Sequence, residues 1–147
     1  MKQLVNIALF LFLFSLCACK DRPCPRILAT VDSLTYVKPD SAITLLKNLK
    51  KQMSNEPEAT QMYYRLLKIK ANDKAYITHT SDSLILPIVK YYEEKNNKDH
   101  LMEAYYYAGR VYSDLNDAPQ ALAYFQKAVD ASKGNTDYRV ISRYTAR

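Results

Sequence analysis

The clearest hydrophobic pattern in the chain lies in residues 101–132, where apolar positions recur at the three- and four-residue spacing of one helical face. The first such stripe is Leu101, Ala104, Tyr105, Ala108, Val111, Tyr112 and Leu115, and the second is Ala118, Ala121, Leu122, Phe125, Ala128, Val129 and Ser132. Asn116 and Asp117 interrupt the pattern between the stripes, and Asp117 with Gln120 resembles a capping box. The spacing therefore predicts a helical hairpin with Tyr105 and Tyr112 in its core.

Two earlier pairs of helices are predicted upstream. The first pair is a short apolar segment at 27–34 followed by a helix that starts with Pro39. The second pair begins near Pro57, and its first helix carries an apolar stripe wide enough to contact neighbours on both sides. That stripe includes Tyr63, Leu66, Leu67, Lys70 and Ala71. The polar cluster 80–83 is expected to cap the next helix, and Pro87 inside that helix suggests that it effectively restarts there.

Small residues mark the closest contact in the third pair. Gly109 lies inside a predicted helix, where glycine costs about 1 kcal/mol relative to alanine, so a packing reason is expected. Ala108, Gly109, Ala121 and Ala128 would let two backbones approach, and Tyr105, Tyr112 and Phe125 would fill the space around them. This arrangement, with its interval between the two halves, resembles the 34-residue tetratricopeptide repeat (TPR).

The resemblance implies an all-α fold, a right-handed α-α solenoid of about three TPR-like hairpins within residues 26–135. Residues 136–147 then look like the start of a further, truncated repeat helix. More widely, the chain resembles TPR lipoproteins of Bacteroidota type and the N-terminal repeat region of TPR-containing sensor and regulator proteins. The resemblance implies an extracytoplasmic protein that binds other proteins or peptides.

The first residues of the chain resemble a bacterial lipoprotein signal. Residues 1–18 carry a lysine at position 2 and contain an apolar run of about thirteen residues, which is shorter than the roughly 20 that a membrane-spanning helix needs. Cys19 is the expected lipidation site, and residues 19–25 form a polar, proline-interrupted tether. Ordinary secretion with cleavage after Ala18 is the alternative. The role of Cys24 stays open.

The amino-acid composition of the chain excludes several kinds of protein. The chain has 147 residues with 13 Tyr, only 2 Gly, 48% hydrophobic and 24% charged residues, which excludes a disordered chain and argues against glycine-rich phosphate loops. The net charge of +6 lies largely at the two ends of the chain rather than in a basic stripe. No nucleic-acid partner is therefore expected.

No catalytic, cofactor or metal site is predicted. The two histidines, His79 and His100, lack Cys, Asp or Glu neighbours at metal-site spacing, and both are expected to be capping or surface residues. Glu93 and Glu94 are adjacent on a helix and do not share a face, so they are not expected to act as an acid–base pair. The protein is predicted not to be an enzyme.

The tyrosines are the candidates for a binding face, because Tyr is enriched at recognition surfaces. Tyr106 and Arg110 are the candidate groove residues, pointing away from the core. Tyr64, Tyr91 and Tyr107 are further candidates for rings that leave the core. The interpretation that we favour for each ring is that it packs between adjacent repeats.

The predicted function is a lipid-anchored protein of the cell envelope, held in the outer membrane, that mediates protein or peptide interaction without catalysis. One alternative is the truncated sensory input region of a TPR-containing signalling or transcription-regulatory protein. Another is an oligosaccharide-binding component that stacks sugars on exposed Tyr rings. The partner itself is not identified by the sequence.

Overall fold

A computed structural model describes residues 25–133. All regular secondary structure in that range is α-helical, so the predicted all-α class is confirmed there. The helices are α1 (Arg26–Val37), α2 (Pro39–Met53), α3 (Glu58–Lys74), α4 (Ile85–Lys95), α5 (Lys98–Asp114) and α6 (Ala118–Ser132).

Most helix boundaries coincide with the residues that the sequence marked. Pro39 opens α2 and Pro119 lies in the first turn of α6, where a missing N–H costs no hydrogen bond. The Asp117 carboxylate accepts a hydrogen bond from the Gln120 backbone N–H at 3.1 Å, which caps α6. Asn96 and Asn116 adopt left-handed backbone conformations, with φ of 49° and 61°, just after α4 and α5.

The expected cap of α4 is wrong. Ser81 and Ser83 hydrogen-bond to each other rather than to the helix, and the capping residue Leu84 makes no side-chain cap bond. The backbone carbonyl of Asp82 instead accepts from the N–H groups of Ile85 and Leu86. Because α4 begins at Ile85, Pro87 falls in the first turn, where it breaks no helical hydrogen bond.

Each helix packs against the next one in sequence. In addition, α1 contacts α3, and α3 contacts α5, so that α3 has four neighbouring helices: α1, α2, α4 and α5. The helix α3 thus lies at the centre of the described residues. This central position explains why the apolar stripe on α3 is wide.

Two hydrophobic clusters lie on either side of α3, as its wide stripe predicted. Leu66 and Ile69 face α4 and α5, whereas Tyr64, Leu67 and Ala71 face α1 and α2. The other buried members of the first cluster are Ile85, Ile88, Val89, Tyr92, Ala104, Tyr107, Ala108 and Val111, and those of the second are Leu28, Val31, Ala42, Leu46 and Met53. A single helix therefore joins both halves of the core.

The assignment of tyrosines to the core needs correction. Tyr107 is fully buried and Tyr64 is 7% exposed, so neither of these two candidates leaves the core. Tyr105 and Tyr112, which were expected inside, are only partly buried. The buried arc of α5 is centred on Ala104, Tyr107, Ala108 and Val111 because α5 packs on α3 as well as on α4 and α6.

The last described helix is covered on one side only. Ala121 and Ala128 of α6 are buried against α5, but Leu122 is 70% and Val129 54% exposed. Both exposed residues were predicted on the buried stripe. Within residues 25–133 no helix follows α6 to cover them.

Several sequence predictions fall outside the described residues. These are the signal peptide at 1–18, Cys19, the tether up to residue 24, and the truncated helix at 136–147. Within the described part of the chain, none of the helices is both long and apolar enough to span a membrane.

Candidate functional site

Three alternate helices, α1, α3 and α5, bring oppositely charged side chains together around one lysine. Lys70 of α3 has a side chain only 2% exposed, and its Nζ lies 2.6 Å from Asp32 Oδ1 of α1 and 2.6 Å from Glu103 Oε1 of α5. The Asp32 side chain is 33% exposed, whereas that of Glu103 is 10% exposed. One ammonium group thus links three helices.

The two carboxylates keep Lys70 charged. Burial by itself lowers the pKa of Lys70, but the negative charges of Glu103 and Asp32 outweigh burial and the pKa is raised overall. The ring of Tyr36 adds a cation–π contact, with its centroid 4.6 Å from Lys70 Nζ. Two acids around one base leave this cluster with a net negative charge.

A second ion pair lies further along the same helices. Arg110 Nε of α5 donates to Asp73 Oδ1 of α3 at 2.8 Å, and the Asp73 side chain is 1% exposed. Arg110 was expected to point outward as a groove residue, but its side chain is 16% exposed and held by Asp73. Tyr106 lies one helical turn before Arg110 and is half-buried. Its ring centroid is 5.8 Å from that of Phe125. Both residues therefore lie against neighbouring helices instead of projecting freely.

An aromatic cleft of about 350 Å³ opens beside the Lys70 cluster. It is lined by Tyr63, Tyr91, Tyr92 and His100 together with Lys95, Asn97, Thr60 and three small apolar residues. The His100 ring packs edge-on to Tyr63 at 4.8 Å and tilted to Tyr92 at 5.2 Å, and Tyr91 lies edge-on to Tyr92 at 5.2 Å. These contacts hold the rings in fixed orientations around the cleft.

Tyr63 connects the cleft to the ion cluster. Its ring lines the cleft, and its hydroxyl is close enough to Asp32 and Glu103 to be affected by their charges. Burial and these nearby carboxylates raise the pKa of Tyr63, so the hydroxyl stays protonated. None of the lining residues is acidic, and Lys95 adds a positive charge at the cleft. The cleft thus combines aromatic faces with hydrogen-bonding groups and one cation.

The predicted repeat residues form a different cluster, between α5 and α6. Tyr112 stacks on Tyr124 with ring planes 6° apart and centroids 5.4 Å apart. The hydroxyl of Tyr105 donates to Glu93 at 2.7 Å and that of Tyr112 to Asp82 at 2.8 Å. These bonds tie α5 to α4 and to the preceding loop, in addition to the apolar contacts that α4 and α5 share in the core.

His79 is not the surface residue that was expected. Its side chain is 9% exposed, and the Asp114 carboxylate oxygen Oδ2 lies 2.8 Å from Nδ1 and accepts the His79 backbone N–H at 2.9 Å. The other ring nitrogen, Nε2, is buried without a hydrogen-bond partner in the described residues. Within residues 25–133, no three His, Cys, Asp or Glu side chains group as a metal site would need. His79 therefore serves to fix the α3–α4 loop to the end of α5.

Sequence reasoning missed the ion cluster, although one signal was present. Lys70 occurs on the apolar stripe of α3, where a lysine is out of place unless a partner accompanies it. Asp32 and Glu103, its partners, lie 38 and 33 residues away along the chain. Only the arrangement of α1, α3 and α5 shows that they meet.

The chain was also compared with known proteins. No family model, no curated protein and no solved structure matches it. The site must therefore be interpreted from its own geometry.

Proposed function

We propose that this chain is a lipid-anchored, non-catalytic binding protein of the cell envelope that holds a peptide segment of a partner protein in a cleft lined by residues of α1, α3, α4 and α5. The observation that carries the proposal is this aromatic cleft of about 350 Å³, which lies beside the ion cluster shared by α1, α3 and α5. Its packed rings and the positive charge of Lys95 suit a peptide with an aromatic or aliphatic side chain next to a carboxylate.

The order of helix contacts supports a TPR-like solenoid. First helices of successive pairs contact one another, α1 with α3 and α3 with α5, and each second helix also contacts the first helix of the next pair. Stacked pairs of this kind create one continuous surface from alternate helices. Tyr105, Ala108, Gly109, Tyr112, Ala121, Phe125 and Ala128 would be the packing residues of the third repeat.

The buried charges support a role in recognition. Burying an ion pair gains little stability compared with apolar residues of similar volume, because desolvation offsets the Coulomb attraction. The Lys70 cluster nevertheless occupies the centre of the α1–α3–α5 packing. We therefore assign it the task of holding these helices in one register, so that Tyr63 presents its ring to the cleft in a fixed position.

A peptide library panned against the full chain in detergent tests this function. We expect enriched peptides to combine an apolar anchor residue with an acidic neighbour or a free C-terminal carboxylate. Tyr91→Ala, which removes a partly exposed ring from the cleft, should weaken their binding about tenfold or more, as loss of an anchoring contact does.

The matched control is Tyr76→Asn, which removes a ring that is 75% exposed and lies outside the cleft. Asn also accommodates the positive φ of 59° at that position. Thermal melting of both variants checks that folding is unchanged. Equal binding by Tyr91→Ala and the parent chain, or a library with no enriched sequences, would refute the peptide site.

The anchor requires its own test. We expect the mature chain to begin at acylated Cys19 and to partition with outer-membrane lipid, whereas Cys19→Ser should leave the chain unacylated. Mass spectrometry of the N-terminal peptide measures this directly. A Cys19→Ser chain that still fractionates with membranes in detergent-extractable form contradicts lipid anchoring.

A second candidate function is oligosaccharide binding, which the three tyrosines and His100 around the cleft favour. Aromatic faces stack on sugars, and Asn97 and Thr60 would supply hydrogen bonds. A glycan array probed with the full chain and with Tyr91→Ala separates this function from the peptide site. Glycan binding that depends on Tyr91, with no peptide enrichment, would replace the first proposal.

A further inference from the structure

A separate basic pocket of about 270 Å³ lies between α2 and α3. Lys47 and Lys50 reach it from α2, spaced three residues apart on one helical face, and Lys68 reaches it from α3. Asn72, one helical turn beyond Lys68, adds an amide. The pocket shares none of its lining residues with the aromatic cleft.

The positive charge of this pocket is not neutralised by the protein. No acidic residue lines it, and in residues 25–133 none of the three lysines makes an ion pair with a carboxylate. Other lysines of the described chain do so: Lys70 has two acidic partners, and Lys90 and Lys133 have one each. The three lysines thus bring like charges to the lining of one pocket, and a bound anion would reduce their mutual repulsion.

The floor of the pocket is apolar. Leu46 is 2% and Tyr64 7% exposed, and Ile43 lies partly buried beside them. The Tyr64 hydroxyl donates to the Leu46 carbonyl at 2.8 Å, so its polar end is already satisfied. The three lysines and the apolar floor together make the pocket amphipathic.

We propose that the pocket binds a phosphate group that carries an apolar substituent. Each lysine offers three N–H donors, and a phosphate offers several acceptor oxygens and a charge that three ammonium groups can match. The flexible lysine stems allow the ammonium groups to converge on such a compact anion. The apolar substituent would lie against Leu46 and Ile43.

Two sources present this chemistry, a lipid headgroup and a small phosphate ester. The lipid source depends on the proposed anchor, because seven tether residues starting at Cys19 span at most about 25 Å and would hold the domain close to lipid phosphates. The pocket itself does not depend on the anchor. The test therefore compares the two sources directly.

The test measures the acetylation rate of each lysine in the full chain, in a neutral detergent, by mass spectrometry. The probes are dihexanoyl phosphatidic acid, dihexanoyl phosphatidylcholine and inorganic phosphate. We expect phosphatidic acid to protect Lys47, Lys50 and Lys68, while exposed Lys90 and Lys98 keep their rates. Phosphatidylcholine, whose phosphate is neutralised by its own choline, should protect none of them.

The concentration dependence identifies the source. Protection by phosphatidic acid at about tenfold lower concentration than by inorganic phosphate, a difference of about 1.4 kcal/mol, supports a lipid headgroup. Similar concentrations support a small phosphate compound. Absence of protection at all three lysines overturns the proposal, and so does stronger protection by polyglutamate, which would indicate an acidic protein instead.

A pair of triple variants provides the control for charge alone. Lys47→Gln, Lys50→Gln and Lys68→Gln together should weaken phosphatidic acid binding about tenfold or more. Lys90→Gln, Lys98→Gln and Lys133→Gln remove the same charge elsewhere and should leave it unchanged. Far-UV circular dichroism confirms that both variants fold. Equal losses in the two variants would show nonspecific attraction and overturn the site.

Discussion

The ring of Phe125 in α6 lies directly over the backbone of Gly109 in α5. A Cβ atom added to Gly109 would come within 2.5 Å of ring carbons Cδ1 and Cε1. Such a distance is far shorter than van der Waals contact between carbon atoms. The α5–α6 pair can therefore pack at its observed distance only because residue 109 lacks a side chain.

We expect Gly109→Ala to destabilise the protein by about 1–3 kcal/mol, as overpacking a close contact does. The direction of this change in stability is informative, because Gly→Ala in an unconstrained helix stabilises the helix by about 1 kcal/mol. Urea unfolding followed by circular dichroism measures the change in the free energy of unfolding. Adding Phe125→Leu should recover part of the loss, and strictly additive effects in this double-mutant cycle would contradict the contact.

Lys70→Met should cost about 3–5 kcal/mol, because it leaves Glu103 buried without its cation. Asp32 contributes less, since a third of its side chain is exposed to water. The free energy of unfolding in urea again measures the effect. The double variant Lys70→Met with Glu103→Leu removes both charges and should be more stable than Lys70→Met alone. If the two variants unfold at the same urea concentration, Glu103 is not the partner that matters.

The two tyrosine hydroxyls that donate to carboxylates should ionise at a higher pH than an ordinary tyrosine. Burial and the Glu93 bond raise the pKa of Tyr105 to about 12, and the Asp82 bond with burial raises that of Tyr112 to about 12. Because these folded-state values exceed the ordinary value of 10.0, the protonated hydroxyls stabilise the fold below about pH 10, and that contribution is lost as pH rises through 12.

Ultraviolet absorbance of tyrosinate checks this expectation. Between pH 10 and 12 the folded chain should show less tyrosinate than the chain in urea. Glu93→Gln should restore earlier ionisation of one tyrosine, whereas Glu94→Gln, at the adjacent position, should not. Identical titration curves for the folded and urea-unfolded chains would disprove the raised values.

Asp114→Ala should loosen the loop between α3 and α4. The Asp114 carboxylate holds both the backbone and the ring of His79, so its removal frees two bonds at once. We expect faster backbone hydrogen exchange in residues 75–84, measured by mass spectrometry, with little change in α1 and α2. Ser113→Ala, at the adjacent position, is the matched control. Unchanged exchange in the loop after Asp114→Ala would show that His79 does not fix it.

The amino-acid sequence by itself determined the helical class and most element boundaries of the described residues. Apolar spacing predicts helices because a side chain returns to the same face every three or four residues. Pro39, Pro119 and Asn116 mark starts and ends because their backbone preferences are local. The wide stripe on α3 likewise predicted a helix covered on two sides.

Only the tertiary structure decided which rings are buried and which charges meet. Tyr107 is buried and Tyr105 is not, because the buried arc of α5 depends on the directions from which its neighbours pack. The partners of Lys70 lie 33 and 38 residues away, so no local pattern pairs them. The aromatic cleft and the basic pocket likewise arise where separate helices meet, because a cavity is a property of packing rather than of any single segment.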